Sequence, residues 1–331
     1  MVAVSRPHVY VALPLPDPSI ARILEACDVA RPERGQPERD ELIAELANAE
    51  GLLGSAMLPV DAGVLESAPR LRVVSNFGVG YNNVDIDAAT RLGIVVCNTP
   101  GVLSDAVADL TLGLIIALAR RLPESDRFVR AGRWGSGTMV RLGNDLRGKR
   151  LGIVGLGRIG REVAQRASAF GMEVCFHDVF QQPDEGFAHC TYRAFDELLR
   201  ESDFVTLHVN LTDETNHLIG ARELSLMKPG AYLINTSRGP VVDQTALTEA
   251  LRAGTIAGAA LDVLETEPTA PDDPLLHLDN AIVLPHVGSA TVETRRAMLE
   301  LCIENLLVAL RGDTPPCVVN PEVLETRRQP S

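Results

Sequence analysis

The sequence predicts an α/β protein with two open sheets of parallel strands, each sheet covered by helices. Three observations carry that prediction. Short runs rich in Val and Ile alternate with longer amphipathic runs, the rhythm of strand–helix–strand crossovers. The short runs are almost continuously apolar, as strands buried on both faces are. A glycine pattern, Gly155-x-Gly157-x-x-Gly160, lies between one such run and a helical segment.

In the first half, His8–Leu13, Gly51–Ser55, Arg72–Phe77 and Ile94–Asn98 read as buried strands. Asn98-Thr99-Pro100-Gly101 reads as a loop, because Pro100 lacks a donor and disfavours helix at the residue before it. An apolar helix is expected over Ser104–Arg120, with Ser104 as N-cap and Asp105 opposing the helix dipole. From Leu151 the strands are Leu151–Leu156, Glu173–Asp178, Phe204–Val209, Tyr232–Thr236, Ala259–Val263 and Ile282–Pro285. Helices are expected between them, among them Arg158–Phe170 and Gln244–Arg252. A last long helix, Thr291–Arg311, repeats Met298, Leu299, Leu301, Cys302, Leu306 and Leu307 at helical spacing, which reads as core packing. The tail from Asp313 holds four prolines and is expected to dock as extended chain.

Composition narrows the function. The chain has 331 residues, 46% of them hydrophobic, and a net charge of −13. That length suits about two domains of ~150 residues. The acidic balance argues against nucleic acid, whose phosphates demand a basic face, but leaves room for a small anion held by one or two cations. No stretch reaches ~18 apolar residues, so no membrane span is expected. The start shows no signal-peptide layout, its apolar run being broken by Pro14 and Pro16. The six cysteines show no C-x-x-C pair and no metal-ligand spacing, and read as reduced thiols of a cytoplasmic protein.

The glycine motif follows a strand and opens a helix. Gly155 permits the tight turn, Gly157 lets a pyrophosphate approach the backbone, and Gly160 allows close helix–strand packing. The helix N-terminus offers N–H groups to the phosphates. Asp178 ends the next strand and would accept hydrogen bonds from ribose hydroxyls while repelling a 2′-phosphate. No Arg or Lys follows until Arg193. These residues favour NAD(H), with NADP(H) the weaker candidate. Three later strand ends carry reactive groups: Arg238 in Asn235–Asp243, Glu267 in Leu261–Pro268 and His286 in Pro285–Thr291. The carboxyl ends of parallel strands share one edge, where ligands bind. A histidine can protonate a forming alkoxide, a carboxylate can fix its tautomer, and an arginine can clamp a substrate carboxylate.

NTSRGPVVD, LDVLETEP and PHVGSAT, in that order after GLGRIG, make the chain resemble the D-isomer-specific 2-hydroxyacid dehydrogenase family from about Gly51 to Val319. The resemblance implies a Rossmann-type cofactor domain, residues 101–289, inserted in a flavodoxin-like substrate domain, residues 1–100 and 290–331. Hinges are implied near Asn98–Gly101 and Gly288–Thr291. Arg238, Glu267 and His286 then resemble the catalytic trio. The loop Asn76–Asp85 looks like the family's substrate loop, with the N–H groups of Val79 and Gly80 holding the substrate carboxylate as an anion nest. Cofactor contacts implied by position are Arg158, Ile159, Asp178, Val209, Asn210, Thr215, Thr236, Asp262, and His286 to Gly288. A homodimer through the cofactor domain is implied, using the Ser104–Arg120 helix and the stretch to Trp134.

Within the family the chain looks most like glyoxylate/hydroxypyruvate reductases, by VADLTLGLIIALARR at 107–121 and PHVGSATVETRRAM at 285–298. Two departures stand out. Asp178-Val179-Phe180 replaces the basic residue that group often carries, and Asn210 replaces a common proline. The expected activity is NAD(H)-dependent reduction of a small 2-oxo acid to the 2-hydroxy acid. The alternatives are an NAD(H)-sensing, corepressor-like interaction protein on the same fold, or oxidation of phosphoglycerate, formate or phosphite. The chain leaves no room for the extra C-terminal domain of many phosphoglycerate dehydrogenases, and its N-terminal region is shorter than formate dehydrogenases usually carry.

Overall fold

A computed structural model describes residues 6–13, 17–33, 35–135, 137–181 and 185–329. The chain forms two units. One runs to Leu103 and resumes at Thr291; the other is Ser104–Ala290. Pro14 and Pro16 lie outside the described residues.

The first unit opens with β1 (His8–Val11), α1 (Asp17–Ala26), β2 (Asp28–Ala30), α2 (Arg39–Leu46) and β3 (Gly51–Ser55). It continues with α3 (Ala62–Glu66), β4 (Val73–Phe77), α4 (Ile86–Arg91) and β5 (Val95–Cys97). Among the described residues the strands form one five-stranded sheet in the order β2-β1-β3-β4-β5, parallel throughout. This is the flavodoxin-like order, whose switch point lies between β1 and β3. Alternation along the strands builds two cores. Tyr10, Leu52, Val74 and Val96 face one side, and Val9, Val11, Leu53, Val73 and Val95 the other.

The second unit carries α5 (Ser104–Ala119), α6 (Leu122–Arg130), β6 (Arg150–Val154), α7 (Arg158–Ala169), β7 (Glu173–His177), β8 (Thr191–Tyr192) and α8 (Phe195–Glu201). It continues with β9 (Phe204–Leu207), α9 (Ala221–Leu226), β10 (Tyr232–Asn235), α10 (Gln244–Ala253), β11 (Gly258–Leu261) and β12 (Ala281–Val283). Its sheet has seven strands among the described residues, ordered β12-β11-β10-β9-β6-β7-β8, again all parallel. Counted within the unit, that is the Rossmann order extended by one strand, with its switch point between β6 and β9. One face packs Leu151, Ile153, Phe176, Ile234 and Ala260 with α5 and α7. The other packs Val154, Val205, Leu207, Leu233 and Leu261 with Leu247 and Leu251 of α10.

The chain returns to the first unit through α11 (Val292–Leu310), whose N-cap Thr291 accepts the N–H of Thr294. Leu299, Cys302, Ile303 and Leu306 of α11 complete the core on the Val9 face. The tail then lies along β5. Cys97 bridges Val318 antiparallel, Val319 N–H donates to the Val96 carbonyl at 2.8 Å, and Asn320 Oδ1 accepts the Val96 N–H at 2.9 Å. The β5 edge of the sheet is thereby covered.

Sequence and structure differ at several places, most often by one or two residues at a strand end. The apolar runs do not mark β2 or β8, because each is a short edge strand. Ser104 is not a cap; it is the first helical residue of α5 and is buried. The strand expected to end at Pro285 ends at Val283.

Candidate active site

The β6–α7 turn is shaped for close backbone approach. Gly155 has φ +95°, and a Cβ there would lie 2.8 Å from the His208 carbonyl oxygen. A Cβ at Gly160 would strike the Gly155 carbonyl. Gly157 differs: a Cβ there meets no protein atom within 4 Å. Protein packing therefore accounts for the outer glycines but not for the middle one, where a phosphate would take the space. Gly157 is also the N-cap of α7 and supplies no capping side chain. The first intrahelical bond is Arg161 N–H to the Gly157 carbonyl at 3.0 Å, so the first-turn N–H groups, Arg158 and Ile159 included, have no side-chain cap. An uncapped helix end carries partial positive charge and suits an anion. Asp178, just after β7, braces the turn: its Oδ2 accepts the Leu156 N–H at 2.7 Å. Glycine turn, bare helix end and neighbouring carboxylate together fit a dinucleotide.

Two of the three strand-end residues are in contact, and the third, Arg238, is near enough for its charge to act on Glu267. His286 Nδ1 and Glu267 Oε2 are 2.8 Å apart. Glu267 Oε1 accepts the Leu264 N–H at 3.0 Å. Burial pushes the Glu267 carboxyl up, but the His286 hydrogen bond, the Leu264 N–H and the charges of His286 and Arg238 outweigh it, so it lies below its ordinary value. Glu267 is held as a carboxylate. Burial draws the Arg238 guanidinium down, opposed by the charge of Glu267; an arginine stays charged through such a shift.

Backbone restraints set this arrangement. Asn235, fully buried at the end of β10, donates to the Arg238 carbonyl at 2.8 Å and accepts from Ser237 N–H at 3.0 Å. Gly239 has no room for a Cβ against the Leu264 carbonyl, so the Arg238 turn presses on the loop that bears Glu267. Asp262 is 1% exposed. Its carboxylate accepts the N–H groups of Val287 at 2.7 Å and Gly288 at 2.8 Å, and its carbonyl accepts the His286 N–H at 2.8 Å. Both Asp262 carboxylate oxygens are thus engaged in fixing the His286–Gly288 turn.

The remaining expected cofactor positions line loops of the same unit. Val209 and Asn210 follow β9. Thr215 Oγ1 donates to the Asn210 carbonyl at 2.6 Å and closes that loop. Thr236 Oγ1 lies 3.1 Å from Thr111 Oγ1 of α5. Val79 and Gly80 belong to the first unit, in the turn after β4. Neither N–H donates to an acceptor among the described residues, and both residues are half-buried.

Residues 112–288 match the model of the D-isomer specific 2-hydroxyacid dehydrogenase NAD-binding domain. A glyoxylate reductase of Thermofilum pendens is 45% identical over 329 residues, covering 98% of this chain and 97% of the relative. The chain belongs to the D-isomer-specific 2-hydroxyacid dehydrogenases. A glyoxylate reductase of Korarchaeum cryptofilum is 46% identical, with 97% and 98% covered. Among solved structures of similar fold, a Thermus thermophilus protein has a TM-score of 0.86 at 42% identity, covering 94% of this chain and 99% of its own. The NADPH-dependent glyoxylate/hydroxypyruvate reductase of Sinorhizobium meliloti, solved with NADP and malonate, gives 0.86 at 36%, with 99% and 100% covered. As a 2-hydroxyacid dehydrogenase the protein is an oxidoreductase with a nicotinamide-binding domain.

This dehydrogenase also holds a pair the sequence did not announce. His217 Nε2 meets Glu265 Oε1 at 2.7 Å, and the same carboxylate oxygen accepts the N–H of Gln244 at the start of α10. The pair ties the loop after β9 to the acidic loop. His217 sits at φ +52° in a polar turn, where no periodicity marks it.

Proposed function

We propose that the protein reduces small 2-oxo acids, glyoxylate and hydroxypyruvate first, with NADH as the preferred cofactor. One observation carries the reading: a histidine hydrogen-bonded at 2.8 Å to a carboxylate that also feels the charge of a neighbouring arginine. The bound nicotinamide supplies a hydride to C2 of the acid. His286 protonates the substrate oxygen from Nε2, because Glu267 occupies Nδ1 and fixes the ring. Arg238 binds the substrate carboxylate and polarises the adjacent carbonyl. Val79 and Gly80 are the other proposed donors to a substrate carboxylate, through their N–H groups.

Gly157 and the N–H groups of Arg158 and Ile159 would hold the cofactor phosphates, in a turn shaped by Gly155 and Gly160, and Asp178 would hold the ribose hydroxyls. Val209, Asn210, Thr215, Thr236, Asp262 and the His286–Gly288 turn make up the rest of the cofactor site. The carboxylate at Asp178 supports NADH over NADPH. The nearest following cation in the sequence, Arg193, is engaged by Glu201 at 3.1 Å and by the Tyr192 carbonyl at 2.9 Å.

A homodimer is part of the proposal. Leu122, Val129, Trp134, Met139 and Leu142, on α6 and the segment after it, are all at least 49% exposed. So much apolar surface in one stretch suits a partner. A cytoplasmic setting fits six cysteines without a disulfide among the described residues.

The test is a panel of glyoxylate, hydroxypyruvate and pyruvate, run with NADH and NADPH in parallel on protein of measured oligomeric state. The expected result is fastest turnover of glyoxylate or hydroxypyruvate with NADH, by a dimer. Absence of turnover on every acid overturns the reading.

A further inference from the structure

We infer that Asn98 is a positioning residue for substrate binding, because its side-chain amide fixes the peptide plane that aims the Gly80 N–H at the substrate carboxylate. The inference rests on the proposed role of Val79 and Gly80. It concerns how a loop without charge presents its donors.

Three successive carbonyls of the turn after β4 are held. The Gly78 carbonyl accepts the Thr99 N–H at 2.9 Å. The Val79 carbonyl accepts Asn98 Nδ2 at 2.7 Å. The Gly80 carbonyl accepts Asn76 Nδ2 at 2.8 Å. In a trans peptide the C=O of one residue and the N–H of the next point to opposite sides of one rigid plane. Holding the Gly78 carbonyl inward therefore turns the Val79 N–H outward. Holding the Val79 carbonyl inward does the same for the Gly80 N–H. A main-chain donor secures the first plane, and one side chain, Asn98, secures the second.

Asn98 is well placed to do this. It is 9% exposed, and its own carbonyl accepts Asn305 Nδ2 of α11 at 3.0 Å. Asn305 is fully buried and is braced in turn by the Cys317 N–H at 3.1 Å. The amide of Asn98 thus sits on a fixed base. Without its donor, the Val79–Gly80 peptide is free to rotate and the Gly80 N–H leaves the carboxylate position.

The test uses Asn98→Asp, which keeps the shape, and Asn98→Ala, which avoids a buried charge. An ionised aspartate has no donor, and a protonated one regains it. The expected result for both variants is a KM for glyoxylate about tenfold above wild type near pH 8, the factor that one lost hydrogen bond of this kind carries. The expected change in kcat is less than about threefold, and the NADH Kd is unchanged. For Asn98→Asp alone, the KM ratio to wild type narrows toward about pH 5 as the carboxyl gains its proton. An unchanged KM in both variants, or a KM that rises only in step with the NADH Kd, overturns the inference. Wild-type protein that fails to reduce glyoxylate overturns the proposed function and this inference together. Active wild type with unaffected variants overturns the inference alone.

Discussion

Two glycine turns, one in each unit, offer N–H groups to anions, and they are built differently. At Gly155–Gly160 the donors begin α7, a helix of 12 residues whose N-cap has no side chain. Helix geometry aims those N–H groups, and the helix dipole supplies a field suited to phosphate. At Gly78–Gly80 no helix follows directly; the next one, α4, is capped by its own Asp85. There the Val79 and Gly80 donors are aimed by bonds to the carbonyls before them, from the Thr99 N–H and from the Asn98 amide, and Gly78–Gly80 itself carries no charge. The groups proposed to react, Arg238, Glu267 and His286, all belong to the unit that holds the helix turn. On the proposed reading, one unit carries the field, the proton chemistry and an arginine for the substrate carboxylate, and the other carries neutral geometry. Mutations of the proton-transfer pair in the first should change rate and pH response, and mutations in the turn of the second should change substrate affinity.

The largest effect that separates the two is expected at His286. His286→Ala removes the proton donor and leaves the α7 turn untouched. The kcat for glyoxylate should fall on the order of a thousandfold, within the usual worth of a general acid. The NADH Kd, measured by fluorescence titration, should stay within about twofold. A variant that raised KM and kept its kcat would break the division of labour between the units.

A smaller effect sharpens the account of the helix turn. Asp178→Ala deletes the carboxylate proposed to take the ribose hydroxyls and to repel a 2′-phosphate. The ratio of kcat/KM with NADH to that with NADPH should drop about tenfold, as expected for hydrogen bonds to a charged group. Asp178 also accepts the Leu156 N–H, so kcat/KM with NADH should fall in absolute terms as well. An equal loss with both cofactors would leave Asp178 as a brace for the turn and nothing more.

Much of this architecture was legible in the sequence, for definable reasons. Strands buried on both faces write themselves as apolar runs, and Gly51–Ser55 matched residue for residue. The edge strands β2 and β8 were invisible because half their surroundings are solvent. His286 and Glu267 could be paired in advance because both follow strands of one parallel sheet, and such ends share an edge. Gly239 carried a hidden signal: its missing side chain lets the Arg238 turn press against the Leu264 carbonyl. Asn98 carried none. An asparagine before Thr-Pro reads as loop, and its partner, the Val79 carbonyl, lies 19 residues away with no periodicity linking them. Asp262 was expected at the cofactor. Its two carboxylate oxygens also hold backbone N–H groups, a contact made through main chain that no side-chain pattern reports.

The smallest effect concerns stability, and it also falls in the unit with the helix turn. His208 follows β9, and its carbonyl is the atom that a Cβ on Gly155 would meet. Its Nε2 lies 3.0 Å from Thr206 Oγ1, and its Nδ1 is buried without a partner among the described residues. Burial pushes the imidazole down to about 3, whereas in the unfolded chain it titrates near ~6.5. The folded state thus refuses a proton that the unfolded state accepts. The stabilisation this gives is complete above about pH 6.5 and is lost progressively as pH falls toward about 3. Over the step from pH 7 to pH 5 the loss is about 2 kcal/mol. His208→Gln removes the titration at a cost of roughly 1 kcal/mol at neutral pH, for the hydrogen bond to Thr206. Urea midpoints at the two pH values should therefore fall further for wild type than for the variant. Parallel slopes would mean that the imidazole gains its proton inside the fold. The turn after β4, whose carbonyls rest on asparagines and main chain, has no comparable group, so Asn98→Ala should leave that acid response as it is in wild type.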